Sequence, residues 1–170
     1  LAEGKILDVG AGSGCHTLAL RKMGKEALAI DISPWSVKVM EARGLTARQV
    51  NLFDERFTER FDTILMLMNG SGIIGRLERM GDFFRRIRQL LNPGGQILMD
   101  SSDLRYLFED EDGSYLVNLA GNYYGEIDFR MQYKQVKGDS FDWLYVDFDT
   151  LSAYAAQCGF RAECIQEGGH

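Results

Sequence analysis

Ile6-Leu7-Asp8-Val9-Gly10-Ala11-Gly12-Ser13-Gly14 carries an apolar strand straight into a loop with glycine at every second position. Such a loop brings bare backbone against a ligand, and the helix that follows offers unpaired N–H groups. A second apolar run, Ala27 to Ile30, ends in Asp31, 21 residues after Gly10. A carboxylate at that distance, at the mouth of the next strand, is placed to accept hydrogen bonds from ribose hydroxyls. A glycine-rich turn that only joins strand to helix is the plainer alternative for the loop taken alone.

Spacing decides which nucleotide is expected. Dinucleotide sites read Gly-x-Gly-x-x-Gly, whereas this chain has Gly10-x-Gly12-x-Gly14 with Asp8 two residues before the loop. A carboxylate there is poorly placed beside a pyrophosphate and well placed beside a ligand that carries an ammonium group. The pattern resembles motif I of the class I S-adenosylmethionine-dependent methyltransferases, acid-x-Gly-x-Gly-x-Gly.

The alternation of elements agrees with that resemblance. Strands are expected at Lys5 to Val9, Ala27 to Asp31, Ala47 to Val50, Phe61 to Met68 and Gln96 to Met99. Helices are expected from about Gly14 to Lys22, after the Ser33-Pro34 cap, and from about Arg79 to Leu91. Strands alternating with helices predict a doubly wound, mostly parallel α/β sheet with helices on both faces and right-handed crossovers. The last third differs, because residues 101–150 hold 11 of the 19 aromatic residues. Ile127, Phe129, Met131 and Tyr133 alternate with polar residues, as a half-exposed antiparallel strand does. A turn at Lys137-Gly138-Asp139-Ser140 and a return strand from Phe141 to Phe148 complete an expected hairpin. A helix capped by Asp149 or Thr150 and a strand from Arg161 to Gln166 follow.

The resemblance extends from about Gly4 to Met99 and implies a set of site residues. Asp8, Gly10, Ala11, Gly12 and Gly14 would form the loop at the methionine end of S-adenosylmethionine. Asp31 would hold the ribose and Ile32 would pack on adenine. Asn51 and Leu52 would border adenine, with Asn51 departing from the family's aspartate, and Asn69 would flank the sulfonium. Leu91-Asn92-Pro93-Gly94-Gly95 matches a later landmark of the family. Asn69 is followed by Gly70-Ser71-Gly72 and lacks the Pro-Pro-aromatic segment with which base-amino methyltransferases grip a flipped base.

Candidates for the acceptor side are His16, directly after the glycine loop, and Tyr106, Tyr115, Tyr123 and Tyr124 in a substrate-side insertion at 101–150. A local hydrogen-bonding role for His16 and ordinary packing for the hairpin aromatics are the alternatives. No catalytic base is named by the sequence. Cys15, Cys158 and Cys164 lack paired spacing, so neither a disulfide framework nor a metal site is indicated. A net charge of −6 disfavours nucleic acid as partner. Arg85, Arg86 and Arg88 read as the solvated face of their helix.

No membrane span or signal peptide is apparent. The expectation is a single cytoplasmic domain over residues 1–170 that transfers a methyl group to a small-molecule acceptor, with truncation at both ends left open. A non-catalytic nucleoside-binding module and a nicotinamide-dependent oxidoreductase are the alternatives, and the oligomeric state is left open.

Overall fold

The structure, a computed structural model, describes residues 1–108 and 121–168. The chain divides into two compact units, Leu1–Gly70 with Arg85–Asp100, and Ser71–Phe84 with the residues from Ser101 onward.

The first unit is built on a five-stranded parallel sheet of β1 (Ile6–Val9), β2 (Ala27–Asp31), β3 (Ala47–Gln49), β4 (Phe61–Met66) and β5 (Leu91–Met99), in the order β3-β2-β1-β4-β5. The chain winds outward from β1 through α1 (Cys15–Lys22) and α2 (Pro34–Ala42), then returns to β4 on the other side of β1. The reversal between β1 and β4 is the point where an open α/β sheet leaves a crevice outside its carboxyl ends. β1 is buried at all four positions, which explains its unbroken apolar run around Asp8.

Two apolar clusters support this edge. Ile6, Leu20 and Leu65 pack together with Ala27 and Leu98 against them. Ala29, Val37, Met40 and Leu45 form the other, joined by Ala11, Leu18 and Ala47. Each fully buried side chain of this size contributes about 1.5–3 kcal/mol. Gly14 belongs to the second packing problem. A Cβ there would stand 2.6 Å from Leu45 Cδ1 and 2.8 Å from Met40 Cγ, at φ +79°. The third loop glycine is therefore required by close packing of the α1 start on its neighbours.

Capping follows the expected chemistry at α2, where the Ser33 hydroxyl accepts the Ser36 N–H and Pro34 takes the first turn. β4 stops two residues earlier than its apolar run suggests, because Met68 (φ 66°) and Asn69 (φ 57°) turn left-handed. β5 begins five residues early: Leu91 pairs with Phe61 and Gln96 with Thr63, with the Asn92–Gly95 turn looped out between.

The second unit carries the antiparallel pair β6 (Glu126–Tyr133) and β7 (Val136–Leu144) and the helix α4 (Phe148–Gln157). The hairpin turn falls at 134–135, with Lys134 left-handed and Tyr133 opposite Val136, so Lys137–Ser140 lies within β7. Gly138 marks an irregularity of register, not the reversal of the chain. α4 is capped by Asp147, whose carboxylate accepts the Thr150 N–H at 2.9 Å, so Phe148 opens the helix and does not end a strand. Residues 161–168 form no strand and have no sheet partner among the described residues. No helix among the described residues is long and apolar enough to cross a membrane.

Candidate active site

The loop after β1 is fixed by β2. The Gly10 and Ala11 N–H groups both donate to the Ile30 carbonyl, at 2.9 and 3.2 Å. Asp31 then takes one backbone donor on each oxygen, Gly12 N–H on Oδ2 at 2.9 Å and Ser33 N–H on Oδ1 at 2.8 Å. Each carboxylate oxygen keeps a further lone pair for a ligand hydroxyl. Gly12 is left-handed, and a Cβ built on it would meet no heavy atom within 4 Å. Bare backbone thus faces open space beside a half-buried carboxylate, a cradle that fits a nucleoside with its methionine tail. Ile32, next in sequence, is 71 % exposed, an apolar side chain available to a base.

Other expected residues are spent on the loop itself. Asp8 is only 1 % exposed, and its Oδ2 accepts the Thr17 hydroxyl at 2.5 Å. Gly14, the N-cap of α1, offers no side chain, and the Asp8 carboxylate meets the first turn of the helix through Thr17 in its place. Ala11 packs on the Ala29–Met40 cluster. His16 is half-buried one residue into α1.

At the loop after β3, the Asn51 Oδ1 accepts the Phe53 N–H at 2.9 Å and closes a local turn, while Leu52 is buried. This loop is held by a residue that the charge pattern placed in solvent. Arg86, on α3 (Met80–Leu90), is 6 % exposed. Its Nε donates to the Leu52 carbonyl at 2.7 Å, and its Nη2 donates to the carbonyls of Asp54 at 2.7 Å and Phe57 at 2.5 Å. Arg85 and Arg88 are exposed as expected. The solvated-face reading is corrected for Arg86 alone. Its place one residue before buried Ile87 and three after buried Phe83 was the available signal.

The end of β4 is held by the end of β5. Asp100 Oδ2 accepts the Met68 N–H and Oδ1 accepts the Gly70 N–H, both at 3.1 Å. Between them Asn69 sits left-handed, a conformation that asparagine adopts more readily than most non-glycine residues, whereas Met68 beside it has no such allowance.

In the second unit, Tyr123 and Tyr124 stack with ring centroids 4.5 Å apart. Tyr123 donates to Asp147 at 2.5 Å and Tyr124 to Asp103 at 2.8 Å. Burial, with these acceptors, pushes the Tyr123 phenol up to about 12 and raises that of Tyr124 further. Both are hydrogen-bond donors at neutral pH and neither is a base. Asp147 resists the opposite pull of burial because Tyr123, Thr150 and Tyr124 all donate to it, which holds its carboxyl below the ordinary value. Tyr123 also lines a polar cavity of about 390 Å³ with Arg76, Leu77, Glu78, Asn122 and Glu126. Tyr106 is exposed in the short turn at Arg105–Phe108, and Tyr115 lies outside the described residues.

Comparison with known proteins identifies the family. A family model described as a methyltransferase domain matches residues 7–97. The chain belongs to the class I S-adenosylmethionine-dependent methyltransferases. It is 72 % identical to a methyltransferase of Bacteroides fragilis solved in complex with S-adenosyl-L-homocysteine, covering all of this chain and 70 % of that one at a TM-score of 0.94. An uncharacterized methyltransferase of Staphylococcus carnosus is 30 % identical over 98 % of this chain and 74 % of its own length. A cypemycin N-terminal methyltransferase of a Streptomyces species is 29 % identical over 58 % of this chain. The chain spans 42 % of that relative.

Two outcomes test the pinned loops. Arg86→Met should cost roughly 2–4 kcal/mol in urea unfolding, because three carbonyls lose a charged donor. Arg85→Met should cost about 1 kcal/mol or less, and equal losses would restore Arg86 to the surface.

Burial raises the Asp8 carboxyl above its ordinary 3.8, against the opposing Thr17 hydrogen bonds and the nearby His16. The folded state therefore holds this proton more tightly than the unfolded state. Ionised Asp8 loses stability as pH rises from about 3.8 through the raised value, and the contribution is level above it. Asp8→Asn removes that titration. The stability gap between the two proteins should move in favour of asparagine as pH rises from 3.5 to 7, and a gap that stays constant contradicts the assignment.

Proposed function

We propose that this chain binds S-adenosylmethionine across the carboxyl ends of β1, β2 and β4 and transfers its methyl group to a small-molecule acceptor. The observation that carries the reading is the open space above Gly12 beside the Asp31 carboxylate. The methyltransferase of Bacteroides fragilis, solved with the demethylated product, supports the choice of ligand.

When bound, this cofactor supplies a methyl group on a positively charged sulfur, which an acceptor lone pair takes in line while the sulfur keeps the bonding pair. Gly10 and Gly12 admit the methionine tail to the backbone. Asp8 acts at one remove by setting the first turn of α1. Asp31 uses its second lone pairs on the ribose hydroxyls, and exposed Ile32 covers one face of adenine. The Asn51 oxygen serves the adenine amino group at the edge that Arg86 fixes through Leu52, whose buried side chain backs that wall. Asn69 stands beside the sulfonium.

This reading treats residues 1–170 as one methyltransferase domain of the cytoplasm, where unpaired thiols persist. Its acceptor contacts come from the segment 101–150. Tyr123 and Tyr124, stacked on one another in the second unit, are candidates for that contact. Tyr106 and His16 are further candidates for acceptor contact. The hydroxyl protons of both stacked tyrosines are committed to Asp147 and Asp103, so their contact with an acceptor would use ring faces and remaining oxygen lone pairs. Positioning supplies much of the acceleration for such a displacement, and a base is needed only where the nucleophile arrives protonated.

Isothermal titration with S-adenosylhomocysteine should give saturable binding, and Asp31→Ala should weaken it by about tenfold or more, roughly 1.4 kcal/mol. Unchanged affinity in that variant would overturn the ribose assignment.

A further inference from the structure

The Met68–Gly70 bend has two consecutive left-handed residues, neither of them glycine. Such conformations persist where surrounding structure over-determines them, and they gather at functional sites. Here one side chain brackets the bend. Asp100 Oδ2 and Oδ1 accept the Met68 and Gly70 N–H groups at 3.1 Å each, on either side of Asn69. The Asp100 N–H donates to the Met66 carbonyl at 3.2 Å, which ties the acid's own backbone to the strand that precedes the bend. Gly70 closes the bend tightly, since a Cβ there would lie 2.7 Å from the Met66 Cβ.

An ionised carboxylate is suited to this task because both oxygens are acceptors. Asparagine, of nearly the same size, would keep one acceptor and turn an N–H₂ group toward the second N–H. Asp100 is exposed, so its carboxylate adds nothing to an apolar core. Its two bonds bear only on the path of the backbone through Asn69.

We propose that Asp100 is a positioning residue for methyl transfer: it holds the strained bend so that Asn69 is presented to the methyl donor at the mouth of β4. The inference rests on the proposed function, which places Asn69 beside the sulfonium. Its signature is selectivity for charge. S-adenosylmethionine carries the sulfonium and S-adenosylhomocysteine does not, so misplacing Asn69 should weaken the first far more than the second.

The experiment is titration of both ligands against the wild-type chain, D100N, N69A and the double variant. D100N should weaken S-adenosylmethionine about tenfold and S-adenosylhomocysteine less than about threefold, and the double variant should match N69A within about twofold. Equal weakening of both ligands by D100N, or multiplied effects in the double variant, would overturn the positioning role and reduce Asp100 to a structural tether. A wild-type chain that binds neither ligand overturns the proposed function and this inference with it, an outcome distinct from binding with equal losses. If D100N fails to fold, M68G/D100N relieves the strain at position 68, keeps Asn69, and should show the same selective loss.

Discussion

The Asp31 carboxylate joins the two loops on which the edge of the sheet depends. One oxygen takes the Gly12 N–H and the other the Ser33 N–H, so the end of β2 governs both the glycine bend after β1 and the entry to α2. Both donors lie in turns, where backbone groups have no strand partner and would otherwise need water. The same carboxylate retains lone pairs toward the open space above Gly12. One residue thus shapes the loop and keeps acceptor capacity at its rim.

The other loops at this edge follow the same design with different partners. Arg86 binds three carbonyls of the 52–57 segment, Asp100 binds two N–H groups of the 68–70 bend, and Asp8 meets the first turn of α1 through Thr17. A polar side chain reaching into each loop replaces the regular ladder that ends with the strand. Such bonds fix backbone geometry before any ligand arrives, which is what a displacement dominated by alignment requires. Gly14 contributes by absence of a side chain, letting α1 approach Met40 and Leu45.

Much of this could be read from the chain. Apolar strands ending in Asp8-x-Gly10 and Asp31 and the Ser33-Pro34 cap are local signals, and β1, β2, α1 and α2 appear where those signals put them. Asp31, Gly12 and Ile32 stand at one edge because the acid and glycines bracket strand ends. What could not be read depends on contacts distant in sequence. Arg86 looks solvated until the 52–57 loop folds over it, and the role of Asp100 arises only when β4 and β5 pair. The hairpin turn misled for a local reason: Lys137-Gly138-Asp139-Ser140 has turn composition, yet the pairing of Tyr133 with Val136 sets the reversal at Lys134. Arg161 to Gln166 shows the converse, a plausible strand without a sheet partner among the described residues.

The central claim is that the Gly12–Asp31 edge receives the nucleoside. Amide proton–nitrogen NMR spectra recorded while S-adenosylhomocysteine is added test it at that edge. The account predicts that the largest shifts fall on Gly10, Gly12, Ile32 and Ser33, and that a reduced nicotinamide cofactor leaves these amides in place. Shifts confined to the second unit, or an equal response to the dinucleotide, would contradict it.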